Sequence, residues 1–239
     1  VSVHLVGGGW NAQTDAGVYG AFLAEAAARG AALGRTEPVL AVLVVRDGDG
    51  AEHSANLVAA VSAAGVFDAR ITVIAPGDEF ALTAVAEVDG ILIGGGVTPA
   101  YLAAVAPVAG EIRRQVAAGI PYLGFSAGAM IAAERALIGG WRMGGVEVSG
   151  QNAAEGLDEI TIEPGIGLLD VTVEVHAAQW GTLSRLVAAT EAGLIDGGLA
   201  IDENTALVVG EGALGVVGAG SVWRVSQADG GVLVSTFGA

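Results

Sequence analysis

The chain has 239 residues, 39 of them glycine, with no cysteine and no lysine. The missing cysteine excludes a disulfide scaffold, a thiolate metal site and a cysteine nucleophile. A formal net charge of −16 argues against nucleic-acid phosphates and anionic membranes as partners. With 53% hydrophobic residues, the length suits one α/β domain spanning residues 1–239.

Short apolar strands alternate with alanine-rich helices through the first half. Residues 3–6 read as a strand running into Gly7-Gly8-Gly9, and 16–33 as a helix. A near-continuous apolar strand at 39–45 follows, then a helix at 53–64 and strands at 71–74 and 90–93. The last of these runs into Gly94-Gly95-Gly96, ahead of a long helix over 99–118. Residues 122–125 form a fifth strand, and 127–136 the helix after it. Strands apolar on both faces and separated by helices predict a parallel sheet covered on both sides. The expected fold class is a flavodoxin-like three-layer α/β sandwich with a mostly parallel central sheet.

The second half reads differently. Residues 144–162 are polar and glycine-containing, a strand or hairpin excursion, and 171–175 form a strand ending at His176. A helix at 177–192 precedes five short stretches (199–201, 206–209, 214–217, 221–225 and 232–236) that predict a small antiparallel region. No apolar run is long enough for a membrane span. The first residues read as a strand rather than a signal peptide, so the expectation is a cytoplasmic protein.

Functional groups of parallel α/β sheets gather at the carboxyl ends of strands. Gly124-Phe125-Ser126-Ala127-Gly128 lies between a buried strand and a helix, the setting of a nucleophile elbow. There the flanking glycines remove Cβ atoms that would clash, and the Ala127 N–H can donate to a developing oxyanion. The Ser N-cap is the plainer alternative. Gly95 or Gly96, at a neighbouring strand end, supplies a candidate second N–H. A hydroxyl nucleophile needs a base. Of three histidines, His4 lies within a strand and His53 reads as a solvated helix residue, whereas His176 stands at a strand end.

Ile93-Gly94-Gly95-Gly96-Val97-Thr98 followed by the Ser126 pentapeptide resembles the S51 serine peptidases, which include aspartyl dipeptidase and cyanophycinase. Pro164-Gly165-Ile166-Gly167-Leu168-Leu169, Val175-His176 with Gln179, Leu183-Ser184-Arg185-Leu186 and Ala200-Ile201-Asp202-Glu203-Asn204-Thr205-Ala206 resemble the cyanophycinase branch. The resemblance implies a fold like the class I glutamine amidotransferases and a Ser126–His176 pair. It implies no cofactor or metal, a small peptide as substrate, and a homodimer. Thr98 stands near the Gln expected after the glycine turn, and Trp180 and Thr182 replace expected arginines. A third, acidic member is sought among Glu174, Glu147 and Glu203. Glu174, two residues before His176 on one strand, and Glu147 rank ahead of Glu203, which reads as a structural turn residue. Thr98, Gln179 and Arg185 are candidate substrate-binding groups, with Arg142 better read as a surface contact.

The leading expectation is a serine peptidase cleaving a peptide or isopeptide bond of a small, aspartyl-containing substrate. The alternative is a catalytically silent binding module of the same fold. A glutamine amidotransferase is disfavoured by the missing cysteine. A dinucleotide-binding protein is disfavoured by the spacing of Gly7-Gly8-Gly9.

Overall fold

The computed structural model describes residues 2–238. Its first half lays down β1 (Val3–Val6), α1 (Asp15–Ala32), β2 (Val39–Val45), α2 (Gly50–Ser62), β3 (Asp68–Ile74), β4 (Gly90–Ile93), α3 (Thr98–Val105), α4 (Ala109–Ala117) and β5 (Tyr122–Phe125). There follow α5 (Ala127–Met130), β6 (Arg135–Gly139), the small hairpin β7 (Arg142–Met143) and β8 (Val146–Glu147), β9 (Thr161–Pro164), β10 (Thr172–Val175) and α6 (Leu183–Glu191). The chain closes with β11 (Gly197–Ile201), β12 (Thr205–Val209), β13 (Gly215–Gly218), β14 (Ser221–Ala228) and β15 (Gly231–Gly238).

The main sheet has seven strands in the order β13-β12-β1-β5-β4-β2-β3. Its first five strands in sequence are parallel, and β12 and β13 extend it antiparallel. Alternation along each strand divides the core between the two faces. Leu40, Val42 and Val44 of β2 pack on one side with Phe22 of α1 and Leu57 of α2. Ala41, Leu43 and Val45 pack on the other with Tyr101 of α3 and Ile112 of α4. All seven β2 residues are buried, and each buried Val or Leu side chain contributes roughly 1.5–3 kcal/mol. This is the expected three-layer sandwich. The later strands add a second sheet, β10-β11-β14-β15, in which β10 and β11 are parallel and the rest antiparallel.

Three predicted helices are shorter than their alanine content suggests. The helix after Ser126 stops at Met130, and residues 135–139 form β6 instead. The carbonyls of Ile131, Ala132 and Ala133 are claimed by the N–H groups of Ile166, Leu168 and Gly167. The Pro164–Leu169 stretch thus ends the helix by taking its acceptors. The helix expected over 99–118 breaks into α3 and α4 at the 3-10 turn Ala106–Val108, where Pro107 has no N–H to donate. The helix expected from 177 begins at Leu183, after a turn through Gly181 at φ 70°. Among the described residues no helix is long and apolar enough to cross a membrane.

Candidate active site

Strand β5 lies between β1 and β4 in the main sheet. The register pairs Val6 with Phe125 and Ile93 with Gly124. Ser126, one residue past β5, therefore sits between the two triglycine turns, Gly7–Gly9 and Gly94–Gly96. Its backbone takes φ 52° and ψ −110°, a conformation that costs a non-glycine residue about 1–3 kcal/mol. The flanking glycines make it possible. A Cβ on Gly124 would stand 2.4 Å from the Gly128 carbonyl, and one on Gly128 would stand 2.3 Å from the Ile93 oxygen. The Ser126 N–H is anchored on the Val6 carbonyl at 2.9 Å.

His176 follows β10 and Glu203 follows β11. These strands are parallel neighbours with Val175 opposite Ile201, so the residues just beyond them lie side by side. Ser126 Oγ is 2.9 Å from His176 Nε2, and His176 Nδ1 is 2.7 Å from Glu203 Oε1. A carboxylate only accepts, so Nδ1 carries the proton and Nε2 is left to accept from the serine hydroxyl. The ring is buried and stacks flat on Trp180, with centroids 4.0 Å apart. Burial holds the imidazole pKa below 6.5, although Glu203 pulls it upward. A neutral base in line with a hydroxyl can take its proton at neutral pH.

The first glycine turn forms the seat of this ring. A Cβ on Gly8 would lie 2.1 Å from His176 Cε1, and one on Gly9 would lie 2.8 Å from Glu203 Cβ. The Gly7 carbonyl accepts the His176 N–H, and the Gly8 carbonyl accepts that of Asn204. The second turn lies against the serine. A Cβ on Gly95 would meet Ser126 Cβ at 2.8 Å. The Gly95 N–H is directed at His53 Nε2, 3.3 Å away. The N–H groups of Gly96 and Ala127 have no protein acceptor among the described residues.

Several residues expected at the site stand elsewhere. Glu174 does not reach His176, because the backbone leaves the strand at His176 (φ 54°) and the two-residue alternation stops there. Its carboxylate instead forms a buried bidentate pair with Arg185, at 2.7 and 2.9 Å. Glu147 lies on the exposed β8, 3.9 Å from Arg142. Glu203, ranked below both from sequence, is the acid on the imidazole.

The candidate substrate-binding groups are also redirected. Arg185 is 1% exposed and spends Nη1 on the Gly140 and Ala153 carbonyls. Thr98 is fully buried with its hydroxyl on Met130 Sδ. The Gln179 side chain accepts the Glu203 N–H and so fixes the acid rather than a ligand. Arg142 lies over the Trp141 ring at 3.8 Å. His53, expected in solvent, is buried between Trp10 and Phe125.

Above Ser126 opens a cleft of about 970 Å³. Trp10, Trp141 and Trp180 line it, as do Arg46, Glu155 and Asp158. Burial raises the Glu155 pKa, and one of its oxygens accepts the Thr98 N–H. Among the described residues no group of three or more His, Asp or Glu side chains is placed to hold a metal ion.

Fold and site define an α/β protein with a serine–imidazole–carboxylate chain at the carboxyl edge of a parallel sheet. A crystal structure of a peptidase from an acI-B1 actinobacterium shares the fold, with a TM-score of 0.69 at 17% identity over 100% of this chain and 94% of that one. The chain belongs to peptidase family S51, whose profile matches residues 73–217. Cyanophycinases from Synechococcus elongatus and Thermosynechococcus vestitus are each 34% identical to it over 126 residues. That stretch is 52% of this chain and 36% of each cyanophycinase.

Proposed function

We propose that the protein is a serine peptidase that cleaves a peptide or isopeptide bond of a short substrate through an acyl-enzyme. The observation that carries this reading is the unbroken chain from Ser126 Oγ through His176 to Glu203. Ser126 attacks the scissile carbonyl carbon while His176 Nε2 takes the hydroxyl proton. Glu203 holds the ring in the required tautomer and stabilises the imidazolium that forms. The carbonyl oxygen becomes an oxyanion facing the free N–H groups of Gly96 and Ala127. His176 then protonates the departing amine, the C–N bond breaks, and a water activated by the same ring hydrolyses the ester.

The cleft volume suits a ligand of a few residues. Its lining carries both signs of charge, Arg46 together with Glu155 and Asp158, which suits a small peptide with free amino and carboxylate groups. Arg46 is the only guanidinium among the cleft-lining residues, and it takes the carboxylate-binding role first sought in Arg185. Family membership and the two cyanophycinases support an aspartyl-containing substrate. Assaying α- and β-aspartyl dipeptides and cyanophycin for amine release tests the reading. Hydrolysis of at least one is expected, with loss of at least about 10³-fold in Ser126→Ala. Full activity in that variant would contradict the mechanism.

A further inference from the structure

We infer that His53 is a positioning residue of the active site: its imidazole caps the Gly95 N–H, fixing the Gly94–Gly96 turn so that the Gly96 N–H faces Ser126. The inference rests on the serine-peptidase reading above.

The turn is held residue by residue. Gly94 donates its N–H to Leu43 and accepts from the Gly128 N–H, so backbone alone secures it. Gly95 has no such backbone partners. Side chains hold both its ends: the carbonyl accepts from Arg46 Nε and the Tyr101 hydroxyl, each at 3.1 Å, and the N–H points at His53 Nε2. Three side chains, from the loop after β2, from α2 and from α3, thus converge on one glycine that abuts Ser126. A buried N–H left without an acceptor is unfavourable, because it has given up water and gained nothing in return. With that bond lost, Gly95 is held at its carbonyl alone, and the freedom of a glycine backbone lets the turn shift together with the Gly96 N–H that follows.

The ring has only one lone pair to offer while neutral, and both of its nitrogens face donors. Arg46 Nη2 lies 3.0 Å from Nδ1. Arg46 keeps the Gly95 carbonyl and Asp49 as other acceptors and is partly solvated. The Gly95 N–H has no other acceptor, so the lone pair belongs at Nε2 and the proton at Nδ1. Burial first, then the Arg46 charge, push the imidazole down to about 4, with Asp49 opposing. The rings packed against it, Trp10 and Phe125, are uncharged, and Arg46 and Asp49 are the charged groups that act on it. The ring is therefore neutral, and able to accept, at neutral pH.

The test compares the wild type with His53→Leu, which fills the space without an acceptor, and His53→Gln, whose amide oxygen reaches the place of Nε2. A fluorophosphonate probe reports on Ser126 through its binding constant and its maximal rate of reaction. Displacing one oxyanion donor predicts a maximal rate lower by about tenfold or more in His53→Leu, with probe binding changed less than about twofold and most of the rate restored in His53→Gln. Nitrogen NMR of the wild type reads the ring directly and needs no variant to fold. Protonated Nδ1 and unprotonated Nε2, coupled to the Gly95 amide, are expected. Equal rates in wild type and His53→Leu, no recovery in His53→Gln, or a proton on Nε2 would overturn the inference. Failure of the wild type itself to react would instead overturn the serine-peptidase reading.

Discussion

At the scale of single residues, the site depends on backbone conformations that few side chains tolerate. Ser126, His176 and Asn204 all have positive φ, and each is fixed by a bond to a glycine turn or to the end of β1. Glu203 is the residue whose removal separates orientation from basicity. Glu203→Gln keeps the size of the side chain but favours the wrong imidazole tautomer, so the maximal rate is expected to fall by about 10²–10⁴-fold. The acid limb of the pH profile moves as well. Burial lowers the His176 pKa and Glu203 raises it, so removing the carboxylate leaves burial less opposed. The base then stays neutral to lower pH, and the limb shifts to the acid side while the plateau drops. A pH–rate profile of the variant checks both; an unchanged plateau would speak against Glu203. Ser126 was legible in the sequence because its constraints are local, a strand, a turn and two glycines. Glu203 was not, because its partner lies 27 positions away and meets it only through the pairing of β10 with β11. His53 was misread for the same reason. Its polar sequence neighbours say nothing of Trp10 and Phe125, which enclose it.

At the scale of elements, α6 and the segment between β6 and β9 are joined by Arg185. Its guanidinium pairs with Glu174 on β10 and holds the Gly140 and Ala153 carbonyls. That segment carries Trp141, Glu155 and Asp158, which line the cleft. Burial works against the Arg185 charge, yet Glu174 outweighs it and keeps the pKa above the ordinary arginine value. Arg185→Met strands Glu174 as a buried, uncompensated charge and is expected to destabilise the fold by about 3–5 kcal/mol. Replacing both, as Glu174→Leu with Arg185→Met, removes the stranded charge and is expected to lose less than the single change. Urea denaturation of the two proteins decides it; a double variant less stable than Arg185→Met would contradict the account. Element positions were readable from sequence, since β2, β4 and β5 are marked by apolar runs between turns. Helix ends were not, because the N–H donors that truncate α5 come from the distant Pro164–Leu169 stretch.

At the scale of the whole molecule, two sheets contribute to one site. The main sheet delivers Ser126 and both glycine turns, and the second sheet delivers His176 and Glu203. The parallel sandwich was predictable from doubly buried strands alternating with helices. The division of the later strands was not. β12 and β13 join the main sheet while β11, β14 and β15 join β10, a choice that short glycine-bounded strands of similar composition do not declare. The link between sheets is physical, the 2.9 Å contact from Ser126 to His176. Reacting the intact chain with a fluorophosphonate and mapping the adduct by mass spectrometry tests this convergence most directly. One phosphonyl group on Ser126, absent after denaturation before labelling and absent in Ser126→Ala, is the predicted result. An unlabelled folded protein, or an adduct on another residue, would contradict it.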